Sequence, residues 1–205
     1  MARVLPQQTV PAESGAIYDR CYTPPHGVAP LLPYLPAKSR VWECASGDGW
    51  ISRVLERAGH SVISTDYRTG HDFFEYAPDV DSYDLIVTNP PYSLKYKFLE
   101  RCYQLGKPFA LLVPFTTIAS GTALKLYRAH GWEELRLTKR INFCMPQTQF
   151  RNSGAQFAVL WLCHHLLPQP IIVADVPDPL PEHRLIKPRK ANPDQRSLFD
   201  LDEAA

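Results

Sequence analysis

The sequence has no apolar run long enough to cross a bilayer, which excludes a membrane-spanning helix. Residues Met1 to Pro11 lack the charged start and apolar centre of a secretory leader. Neither sign of charge dominates: 22 Lys and Arg stand against 21 Asp and Glu, for a formal net charge of +1. A basic field over the whole surface is thereby excluded, and any contact with nucleic acid must be a local patch. There is no Cys-x-x-Cys pair. The cysteines are odd in number and scattered (Cys21, Cys44, Cys102, Cys144, Cys163), which argues against a disulfide framework and against a zinc site. They read as reduced core thiols of a cytoplasmic protein, and no bound metal is expected.

What is there suffices for one globular domain. A 205-residue chain that is 45% hydrophobic can bury a sizeable core, but hardly two. Residues 1–39 are proline-rich and poorly periodic, with a proline-interrupted helical stretch from Val28 to Leu35. From Arg40 the pattern changes. Strands are expected at Arg40–Cys44, Ser61–Asp66, Tyr83–Thr88, Pro108–Phe115, Glu133–Phe143 and Gln156–His164. Helices are expected at Ile51–Ala58, Leu94–Leu105 and Ala119–His130, the first and last stopped by Gly59 and Gly131. Strands alternating with helices imply a mostly parallel sheet covered on both faces. No helix-length gap separates the last two strands, so they suit an antiparallel hairpin at one edge. After Leu167 the prolines crowd and a basic cluster follows (Arg184, Lys187, Arg189, Lys190). That composition reads as an extended tail over 168–205, behind a domain of residues 1–167.

Glu43-Cys44-Ala45-Ser46-Gly47-Asp48-Gly49 joins a strand to a helix. Its two glycines let the backbone turn sharply and approach a ligand closely. Asp66 ends the next strand, where a carboxylate can accept two hydrogen bonds from a ribose diol. Ser52 replaces the third glycine of a dinucleotide fingerprint, and no lysine follows the turn, so this is not a phosphate loop. A ligand with ribose and adenine but no phosphate fits better. S-adenosylmethionine is such a ligand.

The third strand runs into Asn89-Pro90-Pro91-Tyr92. Two prolines stiffen the turn, and Asn89 is pushed toward extended backbone by the proline that follows it. The tip would present the Asn89 amide oxygen and the Pro90 carbonyl, with the Tyr92 ring beside them. Two fixed acceptors suit the two N–H bonds of an amino group on a ring or acyl carbon, and Tyr92 would stack on the planar group that carries it. They would favour the pyramidal nitrogen whose lone pair can attack a methyl donor. Rate would come from positioning, because the cofactor carries the activated methyl.

On these motifs, the chain resembles the class I S-adenosylmethionine-dependent amino-methyltransferases, and most closely small phage-type DNA adenine-N6 methyltransferases. The resemblance covers about residues 18–165. It rests on Tyr22-Thr23-Pro24-Pro25, the Trp42–Gly49 segment, Thr65-Asp66, Gly70-His71-Asp72-Phe73 and Thr88–Tyr92. It implies a Rossmann-like, doubly wound, mostly parallel seven-stranded sheet with a terminal antiparallel hairpin. It implies cofactor contacts from Tyr22, Thr23, Pro24, Glu43, Ala45, Gly47, Gly49, Asp66, Asp72, Phe73 and Asn89. Asp72 would meet the cofactor's adenine amino group, and Phe73 its ring face. Glu43 stands where many relatives carry aspartate. The catalytic turn is Asn89, Pro90, Pro91 and Tyr92, and Asn89 in first place favours adenine or glutamine as acceptor. Tyr92 and Phe143 would face the acceptor ring. The loop Pro146–Gly154 (Gln147, Gln149, Arg151, Asn152) is the local candidate for DNA contacts, since no large recognition domain follows the core.

Near the C-terminus, Gln195-Arg196-Ser197-Leu198-Phe199-Asp200-Leu201 resembles the short peptide with which bacterial proteins bind the replication sliding clamp. Gln195, Leu198 and Phe199 would make the contacts. The expected activity is methyl transfer to adenine N6 in DNA. An RNA adenine, a protein glutamine and a non-catalytic cofactor-binding adaptor are the alternatives.

Overall fold

The computed structural model describes residues 21–143 and 157–179. The loop Pro146–Gly154 and the peptide at 195–201 lie outside the described residues. The first described element is a single turn of helix, α1 (Pro25–Val28), followed by a 3-10 turn at Leu32–Tyr34. The proline-interrupted stretch expected over Val28–Leu35 is therefore two short turns. Pro25 supplies the fixed φ of a first helical turn, and Pro33 falls within the second.

Seven strands form one sheet: β1 (Arg40–Glu43), β2 (Ser61–Ser64), β3 (Leu85–Thr88), β4 (Phe109–Pro114), β5 (Glu133–Leu137), β6 (Val159–His164) and β7 (Ile171–Ala174). Their order across the sheet is β2-β1-β3-β4-β6-β5-β7. β1 pairs in parallel with β2 and β3, and β3 with β4. Among the described strands, β6 alone runs antiparallel to both of its neighbours. The expected mostly parallel, doubly wound sheet is thus the observed one.

The helices α2 (Trp50–Arg57), α3 (Lys95–Leu105) and α4 (Gly121–His130) cover it. β4 explains how. Ala110 and Leu112 point into one layer with Val28, Leu31, Ile51 and Leu55, while Phe109, Leu111 and Val113 point into the other with Phe98, Leu99, Ala123 and Tyr127. A strand buried on both faces needs apolar residues at every position, which is why β3 and β4 read as continuous apolar runs. α2 and α3 stop where Gly59 (φ 91°) and Gly106 (φ 68°) take left-handed backbone. The Ser120 side chain caps α4 by accepting from the Thr122 amide.

Three expectations are corrected at the far side of the sheet. First, the antiparallel pair is not at the edge: β6 is inserted between β4 and β5. Second, the strand expected over Glu133–Phe143 ends at Leu137, and Ile141 is buried against Gly27 instead of continuing the ladder. Third, the chain after Leu167 is not wholly an extended tail. Ile171–Ala174 pairs in parallel with β5 as the outermost strand, and Val176 is buried in the core. A side chain half out and half in, as β7 shows, is what an edge strand of four residues leaves in a sequence.

Candidate active site

β1 feeds β2 on one side, and the chain then crosses back so that β3 lies on the other side of β1. At such a reversal the loops leave the strands in opposite directions and open a crevice beyond their C-terminal ends. A cavity of about 680 Å3 occupies that place. Its walls come from the segments after β1, β2 and β3 and from the stretch before α1. These four segments carry the predicted motifs.

The glycine turn follows β1. Gly47 and Gly49 take φ of 55° and 75°, left-handed values that a side chain resists. The turn is pinned to the end of β2: the Ser46 amide donates to the Thr65 carbonyl at 3.0 Å, and the Gly47 amide donates to Asp66 Oδ2 at 2.8 Å. Asp66 Oδ1 accepts from the Arg68 amide at 3.0 Å and from Arg68 Nε at 2.9 Å. Burial alone would raise the Asp66 carboxyl. The hydrogen bonds from Arg68 and Gly47 outweigh it and hold the carboxyl below its ordinary value. Asp66 is therefore a carboxylate presented at the cavity wall. Arg68 Nη2 also reaches Asp48 Oδ1, at 3.2 Å.

Glu43 behaves differently. It is buried at the end of β1, where its Oε1 accepts from Thr88 Oγ1 at 2.5 Å and from the Ala45 amide at 3.3 Å. Burial pushes its carboxyl up to about 8, against the pull of those two hydrogen bonds. It fastens β1 to β3 and also borders the cavity.

Asn89 leaves β3 at the cavity wall. Its Nδ2 donates to the Cys21 carbonyl at 3.2 Å. Its Oδ1 is buried and has no hydrogen-bond partner among the described residues. A buried amide oxygen without a donor costs about 1–3 kcal/mol, so such a group marks a place where a donor is expected to arrive. The Thr23 hydroxyl, on the same wall, is likewise buried and unpartnered. Lys95 Nζ donates to the Tyr92 carbonyl at 2.9 Å and steadies the turn from α3.

Of the predicted cofactor residues, Tyr22, Thr23, Glu43, Ala45, Gly47, Asp66, Asp72, Phe73 and Asn89 converge on the cavity. Pro24 and Gly49 do not line it; they are the N-cap residues of α1 and α2. Asp72 spends Oδ1 on the Phe74 amide at 2.9 Å, leaving the other oxygen for a ligand. Phe73 is corrected in part. Its ring is buried, stacked on Phe98 at 4.6 Å and tilted against Trp42 at 5.3 Å, so it is a core residue that shows the cavity little of its face.

In the predicted catalytic turn, Pro91 lines the cavity, whereas Pro90 is buried behind it and Tyr92 stands outside the wall. The Tyr92 hydroxyl is buried and unpartnered among the described residues, and burial pushes its phenol far up. The Tyr92 and Phe143 rings lie edge to face at 6.3 Å. The Tyr92 ring also meets Phe157 at 5.7 Å.

No family model and no curated protein matches the chain in sequence. Solved structures resemble it in fold alone. A modification subunit assigned to a type I restriction enzyme of Vibrio vulnificus superposes with a TM-score of 0.49 at 17% identity, over 85% of this chain and 49% of that one. A Pyrococcus horikoshii protein assigned as an RNA methyltransferase gives 0.43 at 12% identity, over 64% and 76%. The release-factor-specific protein-(glutamine-N5) methyltransferase of Alicyclobacillus acidocaldarius gives 0.39 at 15% identity, over 80% and 99%. Likenesses of this size carry no argument about the chemistry, which rests on the cavity itself.

Sequence reasoning missed several wall residues. Trp50 opens α2 directly after the second glycine, and its ring stacks on Tyr22 at 6.1 Å with planes 11° apart. Tyr67, Arg68 and Lys97 also border the cavity. Trp50 was findable, since the first helical residue after a glycine turn faces whatever the turn holds. Phe157, which does not line the cavity but meets the Tyr92 ring, was findable too, as an aromatic just before β6. Arg68 was not, because its target depends on the 3-10 turn at Tyr67–Thr69.

Proposed function

We propose that the chain is an S-adenosylmethionine-dependent methyltransferase acting on an exocyclic amino group, with adenine N6 in DNA as the acceptor. The observation that carries this reading is the unpartnered amide oxygen of Asn89, fixed at the tip of β3 beside the cavity. The cavity suits the cofactor on three counts. About 680 Å3 lies within the usual range for a nucleoside-sized ligand. Asp66 offers a carboxylate where a diol would sit. The turn at Gly47 brings bare backbone to the wall.

When bound, S-adenosylmethionine supplies a methyl group on a positively charged sulfur. The chain's residues supply the rest. Asn89 Oδ1 accepts one N–H of the acceptor amine, and the Pro90 carbonyl takes the other. That pair of bonds orients the nitrogen lone pair and leaves it uncommitted. Tyr92, Phe143 and Phe157 form an aromatic wall for the planar group behind the amine. For a base in duplex DNA, the nucleotide must first leave the stack, at a cost of a few kcal/mol that stacking and the new hydrogen bonds offset.

Incubation with labelled methyl donor and DNA, RNA or protein separates the substrates, each product being challenged with the matching nuclease or protease. Label in DNA as N6-methyladenine, lost in Asn89→Ala, is the expected result. Label only in RNA or in a glutamine side chain would move the assignment to that acceptor. The C-terminal peptide belongs to this reading as a tether: Leu198 and Phe199 would enter a pocket of the sliding clamp and hold the enzyme on newly copied DNA.

A further inference from the structure

We infer that Arg68 sets the site's preference for a ribose diol, because its guanidinium holds the acceptor that a second hydroxyl would need. The inference rests on the methyl-donor reading of the cavity. A carboxylate has about four lone-pair positions. On Asp66 three are filled by the described residues: the Gly47 amide on Oδ2, and the Arg68 amide and Arg68 Nε on Oδ1. One position remains, and a vicinal diol seeks two.

The three donors are not equivalent. The Gly47 amide belongs to the glycine turn, which is itself tied to β2. The Arg68 amide is fixed by the 3-10 turn that Asp66 caps. Only Arg68 Nε can leave without unfolding backbone. Its side chain is 41% exposed, so water can take over its hydrogen bonds. Arg68 Nη2 lies across the turn, 3.7 Å from the point where a Gly47 side chain would begin, and joins Asp48. The guanidinium therefore straps the two loops that must embrace the sugar, and it competes with the sugar for Asp66. A ligand with both hydroxyls displaces Nε; a ligand without them does not.

Arg68 is thus a specificity-determining residue, and its removal changes the value of the diol and not that of the rest of the ligand. Titration calorimetry of the full chain with S-adenosylhomocysteine and with its 2′,3′-dideoxy analogue tests this. The readout is the ratio of the two affinities within one variant, so partial loss of folded protein cancels. Displacing a half-exposed ion pair corresponds to a factor of about two to five, so that ratio should grow about two- to fivefold in Arg68→Ala and in Arg68→Gln. An unchanged or smaller ratio in both variants, with the wild type binding S-adenosylhomocysteine normally, overturns the inference alone. Failure of the wild-type chain to bind S-adenosylhomocysteine at all overturns the cofactor reading, and the inference with it.

Discussion

The Asn89 amide is fastened at its nitrogen and open at its oxygen, and that asymmetry makes it testable. Asn89→Ala should lower methyl transfer by about 10²–10³-fold while leaving methyl-donor affinity within a factor of about three, as expected when a donor–acceptor contact to the reacting group is removed. A comparable fall in both quantities would mean that Asn89 holds the cavity together and does not act on the acceptor. Glu43 supports a second prediction. Its folded carboxyl lies near 8 against an ordinary value of 4.5. The folded state therefore keeps its proton where the unfolded chain has lost it. The stabilising contribution is complete below about pH 4.5, declines as pH rises, and is gone above about 8. Denaturant titrations from pH 5 to 9 should show that decline, worth on the order of a few kcal/mol, and Glu43→Gln should flatten it. The same slope in both proteins would contradict the burial argument. At this scale the sequence was informative where a residue's place follows from a strand end, as for Asp66 and Asn89. It failed for Phe73, because two adjacent phenylalanines do not reveal which one turns into the core, and for Arg68, whose partner is set by tertiary contact.

Elements show the same division. β3 and β4 were legible because burial on both faces leaves an apolar run, and β1 because Val41 and Trp42 lead into the glycine turn. β7 was not, because four residues between prolines, exposed on alternate positions, carry too little pattern. Its pairing with β5 is supplied by the sheet and not by its own propensity. A chain ending at residue 168 should therefore lose the β5 edge pairing and the buried Val176, and melt several degrees lower than one ending at residue 179. Equal melting temperatures would show that β7 is an ornament. The glycine turn offers a paired test. Gly47 and Gly70 both take left-handed backbone, but only Gly47 borders the cavity. Replacing either by alanine should cost about 1–2 kcal/mol of stability. Only Gly47→Ala should also weaken binding of the methyl donor, since it strains the backbone that lines the cavity. Calorimetry on the two variants decides.

For the whole molecule, near-neutral charge means that attraction to nucleic acid must come from local patches or from a tether. If the C-terminal peptide is that tether, replacing Leu198 and Phe199 by alanine should abolish capture by immobilised sliding clamp and leave methyl-donor affinity unchanged. Undiminished capture would remove the tether from the functional reading.

The placement of β6 also bears on how the protein is made. Because β6 separates β4 from β5, the strand synthesised earlier waits for the one synthesised later. Until residues 159–164 have emerged from the ribosome, β5 has no sheet to join. Every residue that lines the cavity lies between Cys21 and Phe98, so its walls are synthesised before β5 and β6, whereas Phe143 and Phe157 follow later in the chain. A nascent chain stalled before residue 159 would then display the unpaired edge of β4, a surface for chaperones to find.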